Sequence, residues 1–210
     1  MKDSGIRTYF TLVFLTGIVS VIVYIFWKEQ AVYMLPTPKP TDHQEISLGS
    51  RPAMDVSQLN FSENRKPVFL HFYNPDCPCS RFNLTQFKEM VSQHQDSVDF
   101  YVILHQSDKS QREVESEFEV PVIRDDDGKI ADAYGVYATP QALILNGSGT
   151  IYYRGNYNKA RYCTSRDTRF AELALKALVN KQPLPQFVEM ASISYGCSLP
   201  SDKKSTSFFF

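Results

Sequence analysis

Two cysteines, Cys77 and Cys79, stand where the chain passes from a strand pattern to a helix pattern. The apolar run from Val68 to Tyr73 is typical of a buried strand, and helical periodicity begins at Cys79. A thiol at the start of a helix faces unpaired backbone N–H groups and the positive end of the helix dipole, and both favour the thiolate. Because the thiolate attacks disulfides and binds metals, this junction predicts a reactive cysteine site.

The stretch from Tyr9 to Trp27 has 19 residues and no charge. At about 1.5 Å per residue a helix of this length spans close to the ~30 Å hydrocarbon core of a bilayer. We predict one uncleaved transmembrane anchor at 9–27, after an N-terminal tail at 1–8. A cleaved signal peptide is the alternative, but its apolar region is usually shorter and a small-x-small site should follow. The numbers of Lys and Arg residues on the two sides of this segment are nearly equal, so they do not set its orientation. The short N-terminal tail favours a cytoplasmic N-terminus.

The remainder of the 210 residues is long enough for one globular domain, and 43% of the chain is hydrophobic. The net charge of -1 and the lack of a Lys/Arg cluster exclude a nucleic-acid partner. Prolines among polar residues predict an extended linker at 28–50. We expect the folded domain at 51–181 and a polar C-terminal tail at 182–210 that carries Cys197.

Strand and helix signals alternate from Val68 onward, which favours an α/β sandwich. The helix pattern that begins at Cys79 places Phe82, Phe87 and Val91 on roughly one side. His71 is expected to point from its strand into the interface between layers, and His105 to lie at the surface. The predicted strands span 68–73, 98–104, 120–124, 141–145 and 151–153, and the later helices span 107–118, 129–134 and 167–179.

This order of elements resembles the thioredoxin fold. The chain is similar to the membrane-tethered thioredoxin-like and thiol-specific antioxidant proteins of bacterial envelopes. The resemblance implies a thioredoxin-like three-layer sandwich with a central mixed sheet, preceded by one transmembrane helix. It covers residues ~66 to 180 and is carried by Val68 to Tyr73 before Cys77, Pro121-Val122, Asp127-Gly128, Ala133 to Val136, Thr139-Pro140, Leu143 to Leu145, Gly149 and Gly155.

The motif from Asn74 to Ser80, together with Tyr195-Gly196-Cys197, is also similar to a set of uncharacterised membrane-anchored bacterial proteins of this superfamily. That second resemblance implies no function.

The resemblance to thioredoxins implies that Cys77 is the nucleophile and that Pro140 is the cis-proline beside the active site. The peptide at Thr139-Pro140 would then help to hold an extended substrate. The family usually has its second cysteine three residues after the first, but this chain has Ser80 there. A disulfide between Cys77 and Cys79 would close a tight ring, and the strain should make it easily reduced.

Two variants of the superfamily do not match these residues. Peroxidases have a Pro-x-x-x-Thr/Ser-x-x-Cys environment. In this chain Leu70 stands at the proline position and Asn74 at the Thr/Ser position of that motif, so peroxidase activity is disfavoured. Copper-delivery members use a histidine late in the domain, and no histidine follows His105.

The topology of the family implies that the loop with Cys163 ends near Cys77 and that the tail can bring Cys197 back to the same edge. A structural disulfide between Cys163 and Cys197 would staple the tail to the domain in an oxidising compartment. Alternatively, Cys163 resolves a disulfide formed at Cys77 or Cys79. Four converging thiolates could also bind Zn²⁺ or Cu⁺, but Cys-x-Cys is tighter than usual zinc spacing, and we predict no metal and no other cofactor.

The sequence therefore predicts a thiol-disulfide oxidoreductase tethered to the membrane through Tyr9 to Trp27. Cys77 would exchange with disulfides of a partner protein or a small thiol, and Cys79 or Cys163 would resolve the mixed disulfide. We expect a single pass through the inner membrane and a domain facing the periplasm or the outside. The alternatives are a metal carrier or sensor and a non-catalytic binding module.

Overall fold

The computed structural model describes residues 2–29, 35–52, 59, 66–105, 107, 109–159 and 165–199. The chain divides into two compact units, Met1–Leu35 and Pro36–Phe210. The second unit therefore begins inside the predicted linker at 28–50, about 15 residues before the expected start of the domain.

The first unit is a single helix, α1 (Lys2–Glu29). Its segment Gly5–Lys28 is long and apolar enough to cross a membrane, a test of length and composition that a signal sequence also passes. The hydroxyl groups of Thr11, Thr16 and Ser20 each donate to the backbone carbonyl four residues earlier. These polar groups are thus satisfied within the helix, as an apolar surrounding requires. The predicted tail at 1–8 is helical from Lys2 onward.

The second unit is built on a five-stranded mixed sheet in the order β3-β2-β1-β5-β6. The first three strands along the chain run parallel, β5 is antiparallel to β1, and β6 is antiparallel to β5. The short strands β4 and β7 form a separate antiparallel pair. The bounds are β1 (Val68–Tyr73), β2 (Asp99–Leu104), β3 (Val122–Arg124), β4 (Ala138–Thr139), β5 (Gln141–Leu145), β6 (Ile151–Gly155) and β7 (Cys197–Ser198).

Helices cover both faces of the sheet because the side chains of each strand alternate between the faces. Phe69 and Tyr73 of β1 join one hydrophobic cluster with residues of α3, α4 and α6, whereas Leu70 and Phe72 join the opposite cluster with Ile130. The result is the thioredoxin-like three-layer sandwich that the sequence predicts. The helices are α2 (Pro78–Arg81), α3 (Leu84–His94), α4 (Gln111–Phe118), α5 (Lys129–Ala133) and α6 (Phe170–Val179).

The helix predicted from Cys79 is in fact two helices, because the chain turns between Arg81 and Leu84. This break changes the phase of the helical repeat. Phe87 and Val91 are buried, but Phe82 is 41% exposed, so its predicted place on the same side as these two residues is wrong.

Both segments predicted to lie outside the domain pack against it. Gly49 and Ser50 exchange backbone hydrogen bonds of 2.8 and 2.9 Å with Ile151, which extends the edge of β6. At the other end, residues 182–199 include a turn of 3₁₀ helix at Glu189–Ala191 and the strand β7. We call residues 189–199 the C-terminal arm. The predicted linker and tail are therefore part of the folded unit over 36–50 and 182–199.

Candidate redox site

Cys77 lies at the end of a turn that follows β1. The backbone N–H of Asp76 donates to the side chain of Asn74 (2.8 Å), and the N–H of Cys77 donates to the Asn74 carbonyl (3.1 Å). Cys77 has extended backbone angles and caps α2, and its carbonyl accepts a 3.0 Å hydrogen bond from the N–H of Ser80. The sequence places a longer helix here, but α2 is a single turn, so its dipole is smaller than the periodicity indicates.

Cys77 forms a disulfide with Cys197, 120 residues further along the chain, with the two Cα atoms 6.0 Å apart. The predicted disulfide between Cys163 and Cys197 is therefore wrong, because the sulfur of Cys197 is already bonded to Cys77. Cys163 itself lies outside the described residues. Spacing alone could not identify the pair, because the bond depends on the path that the C-terminal arm takes over the domain.

The disulfide lies against a cis peptide bond between Thr139 and Pro140, which confirms the predicted cis-proline. The Sγ of Cys77 is 3.6 Å from the carbonyl oxygen of Thr139. Since a disulfide has no S–H, this is a contact here, and a Cys77 thiol in the same position could donate to that oxygen. Thr139 and Pro140 are both buried. The site therefore brings together four of the predicted residues, with Cys197 as the disulfide partner of Cys77 beside Thr139 and Pro140.

The C-terminal arm covers this site as an extended peptide. In the β4–β7 pair, Thr139 lies opposite Cys197 and Ala138 lies opposite Ser198. The backbone N–H of Leu199 donates to the carbonyl of Tyr137 (2.9 Å). Because the arm takes up the edge of β4, Cys77 is only 2% exposed, whereas Cys197 is half-buried.

Side chains from distant parts of the chain hold the arm in place. The amide of Asn156 donates to the carbonyls of Met190 (2.7 Å) and Ile193 (2.5 Å). The amide of Gln141 donates to the hydroxyl of Ser194 (2.6 Å). Most of these bonds go to the backbone of the arm, so the arm's polar groups are satisfied although it has little regular structure.

Thr37, near the start of the second unit, also binds the arm. Its backbone N–H donates to the carbonyl of Ser194 (2.8 Å), and its hydroxyl donates to the carbonyl of Gly196 (3.1 Å). The neighbouring Pro36 forms an isolated β-bridge with Tyr195. Residues 36–37, which the sequence predicts to lie in a linker, are thus in direct contact with the arm that covers the site.

Two glycines allow the arm to approach the domain closely. A Cβ on Gly155 would overlap the carbonyl oxygen of Ala191 and lie 2.8 Å from the Tyr153 hydroxyl. A Cβ on Gly196 would overlap the carbonyl oxygen of Thr139. Sequence reasoning missed Gly196 as a site residue. The available signal was a glycine directly before a cysteine in an otherwise polar tail.

Cys79 is buried and is not part of the disulfide. Ser80, which occupies the family's usual second-cysteine position, is fully buried, and its hydroxyl has no hydrogen-bond partner among the described residues. Within the same residues, no group of three His, Cys, Asp or Glu side chains could hold a metal ion. Two of the four cysteines are bonded to each other and cannot act as thiolate ligands in this state.

Two buried histidines belong to the strands that lead to this edge, His71 within β1 and His105 directly after β2. The Nδ1 of His71 is 2.7 Å from the Tyr157 hydroxyl, and its ring stacks on Phe87 with centroids 4.6 Å apart. Burial lowers the pKa of His71 to about 3, so the ring is neutral at physiological pH. The predicted place of His71 between the layers is confirmed.

His105 follows β2 and is fully buried, so its predicted surface position is wrong. Its ring stacks against Phe72, and its Nε2 lies 3.3 Å from a carboxylate oxygen of Asp125. Burial lowers the pKa of His105 to about 4 and raises the pKa of Asp125. The Asp125 carboxylate accepts 2.9 Å hydrogen bonds from the backbone N–H groups of Ile130 and Ala131. Asp125 therefore binds the first turn of α5. The turn predicted at 125–128 lies directly before this helix.

Comparisons with known proteins agree with this fold. An uncharacterized conserved protein of Geobacillus kaustophilus is 23% identical over 67% of this chain and 79% of its own, with a TM-score of 0.57. A hypothetical protein of Sinorhizobium meliloti is 17% identical over 74% of this chain and 95% of its own, with a TM-score of 0.61. At these identities the likeness shows the fold alone.

A secreted disulfide oxidoreductase of Mycobacterium tuberculosis, homologous to DsbE of E. coli, is 20% identical over 56% of this chain and 82% of its own. Its TM-score of 0.41 is too low to support an inference about this chain. No curated protein matches the sequence significantly. The sequence profile of a family described as a domain of unknown function (DUF6436) matches residues 50–198, which is most of the chain, and this protein therefore belongs to that family.

Proposed function

We propose that this protein is a membrane-tethered thiol-disulfide oxidoreductase whose redox couple is Cys77 and Cys197. The observation that carries the proposal is the disulfide between these residues beside the cis bond of Thr139 and Pro140. The bond joins a cysteine at the end of β1 to one on a separate arm. Opening it can therefore expose Cys77 without unfolding the sheet.

The proposed reaction moves two electrons and two protons. A substrate thiolate attacks one sulfur of the disulfide, forms a mixed disulfide and releases the other cysteine, which takes up a proton. The second thiol of the substrate then breaks the mixed disulfide. The substrate leaves as a disulfide, and Cys77 and Cys197 become thiols. The steps run in reverse for a substrate with a higher reduction potential.

In the reverse direction Cys77 is the nucleophile and Cys197 resolves the mixed disulfide, because the arm carries Cys197 to the Cys77 sulfur. Thr139 and Pro140 position the substrate where the arm now lies. Cys79 and Cys163 are the competing candidates for the resolving step. Cys79 is the nearest other thiol in sequence, and Cys163 is predicted to be close from the family topology alone.

We further propose that α1 anchors the protein through Tyr9 to Trp27 in the cytoplasmic membrane, with the folded unit facing the periplasm or the outside. A disulfide that persists in the resting protein needs an oxidising compartment, and these locations supply one. Membrane preparations treated with protease from the outer side should lose the folded unit. Protection of that unit in spheroplasts, where added protease reaches the outer side of the cytoplasmic membrane, would contradict this orientation.

The exchange reaction can be tested with the full chain in detergent. The assay follows the reduction of a dye-labelled glutathione disulfide by dithiothreitol. Cys77→Ser should abolish catalysis. The Cys197→Ser variant, first reduced, then freed of dithiothreitol and mixed with the labelled glutathione disulfide, should accumulate a mixed disulfide at Cys77 that mass spectrometry detects. Cys79→Ser and Cys163→Ser serve as matched controls and should retain most of the rate. A Cys77→Ser protein as active as the unmodified chain would overturn the proposal.

A second candidate is a non-catalytic binding module in which the disulfide only staples the arm. The 2% exposure of Cys77 favours this alternative. Structural disulfides have reduction potentials below about -300 mV, whereas exchanging ones are higher. Equilibration with thiol-disulfide buffers followed by alkylation gives the potential. A value below that limit, with no turnover, supports the binding module.

A further inference from the structure

The edge of β4 holds a peptide in an extended conformation, and that peptide belongs to the chain itself. Ala138 and Thr139 pair with residues 197–198 in an antiparallel register. The disulfide then fixes this register, since the cysteine opposite Thr139 is the one bonded to Cys77. The arm therefore shows how a cysteine-containing peptide lies when its sulfur reaches Cys77.

The position before the cysteine accepts only glycine in this arrangement. Gly196 has a φ of 131°, a backbone conformation that residues with a Cβ rarely adopt. A Cβ built there would overlap the carbonyl oxygen of Thr139. It would also lie 3.0 Å from the carbonyl carbon of Thr139 and 3.3 Å from Cδ of Pro140. The obstacles are backbone and a proline ring, which cannot rotate away as a flexible side chain does.

The two positions after the cysteine differ in their surroundings. Ser198 is exposed, so the side chain there has room to vary. Leu199 is buried and joins the hydrophobic cluster that contains Phe72 and Ile130. The recognised pattern is therefore glycine, cysteine, any residue, and then an apolar residue.

We propose that the edge of β4, together with Cys77, is a binding site for an extended Gly-Cys-x-apolar segment, and that the arm is its resident occupant. Partner proteins with a cysteine in such a segment are the preferred exchange partners. The Cys77 thiolate attacks the partner's disulfide, bonds to the cysteine of the segment and releases the partner's other sulfur as a thiolate. This inference rests on the proposed exchange reaction of Cys77.

The test uses the full chain in detergent with Cys79→Ser, Cys163→Ser and Cys197→Ser, so that Cys77 is the only cysteine. Cys77 is first converted to its glutathione adduct. A capped peptide with the sequence of residues 195–199 then displaces glutathione, and mass spectrometry measures the equilibrium constant. The same peptide with alanine in place of glycine should give an equilibrium constant at least about tenfold lower. The backbone conformation at this position disfavours a residue with a Cβ by about that factor.

Matched peptides separate this inference from a general preference for cysteine peptides. Alanine in place of the serine after the cysteine should leave the constant within about twofold, because Ser198 is exposed. Equal constants for the glycine and alanine peptides would overturn the inference and leave the proposed function intact. A Cys77 that forms no adduct even with glutathione would overturn both.

A second measurement applies if the triple variant does not fold. In the otherwise native chain, Gly196→Ala should lower the equilibrium constant for the disulfide between Cys77 and Cys197, measured against glutathione, by about tenfold. Gly49→Ala is the matched control, because Gly49 also has a positive φ but nothing within 4 Å of an added Cβ. An unchanged constant for Gly196→Ala, or an equal loss for both variants, would overturn the inference.

Discussion

The hydroxyl of Thr37 donates a 3.1 Å hydrogen bond to the carbonyl of Gly196, the residue before the disulfide-bonded Cys197. Thr37 is buried, and its backbone N–H binds the same arm at Ser194. The segment that enters the folded unit is thus in direct contact with the segment that carries Cys197. Formation of the disulfide and packing of residues 36–37 should therefore stabilise each other.

Replacing Thr37 with valine removes the hydroxyl but keeps the shape and the backbone bond. Loss of one buried hydrogen bond costs about 1 kcal/mol. Because this bond holds the arm, the equilibrium constant for the Cys77–Cys197 disulfide against glutathione should fall by about fivefold. Thr150→Val, in the turn between β5 and β6, is the control and should leave the constant unchanged. A Thr37→Val protein with an unaltered constant would show that the bond does not support the arm.

Reduction of the disulfide should lower the free energy of unfolding by about 2–5 kcal/mol. The two cysteines are separated by 120 residues, so the bond removes much conformational freedom from the unfolded chain. Urea unfolding with and without dithiothreitol gives the difference. Cys197→Ser should be as unstable as the reduced protein and should no longer respond to dithiothreitol. Identical midpoints for oxidised and reduced protein would contradict this expectation.

The stability of the protein should rise with pH between about 3 and 6.5. Burial lowers the pKa of His71 to about 3 in the folded state, while the unfolded chain keeps a value near 6.5. Between these values the unfolded chain binds more protons. The contribution of His71 is therefore complete above about pH 6.5 and is lost as the pH falls toward 3.

His71→Phe measures this contribution. Compared with the unmodified chain, the slope of unfolding free energy against pH should fall by about 1.4 kcal/mol per pH unit between pH 4 and 6. Tyr157→Phe is the control, because it removes the hydroxyl that bonds to His71 but leaves the imidazole buried. That variant should be less stable at every pH with the slope preserved. An unchanged slope in His71→Phe would mean that the histidine is charged when folded.

Local sequence patterns were sufficient to predict the strands of the sheet and the position of Cys77 in the site. The apolar run at 68–73 and the turn at 74–77 depend on neighbours in sequence, so they place Cys77 at the end of β1 without any tertiary information. The cis bond before Pro140 and the buried position of His71 follow once the thioredoxin-like order of elements is recognised. Phe82 was misplaced because its position depended on a single continuous helix.

By itself, the sequence determined the apolar helix, the thioredoxin-like core and the cysteine at its edge, because periodicity and turn chemistry are local. Only the tertiary structure decided the partner of Cys77. The arm has no periodic apolar face, and its path is set by hydrogen bonds from Thr37, Gln141 and Asn156, which are far away in the chain. His105 is buried for the same reason, because Phe72 and Asp125 surround it only in the folded state. Contacts between residues so far apart in the chain cannot be predicted from the local spacing of residue types.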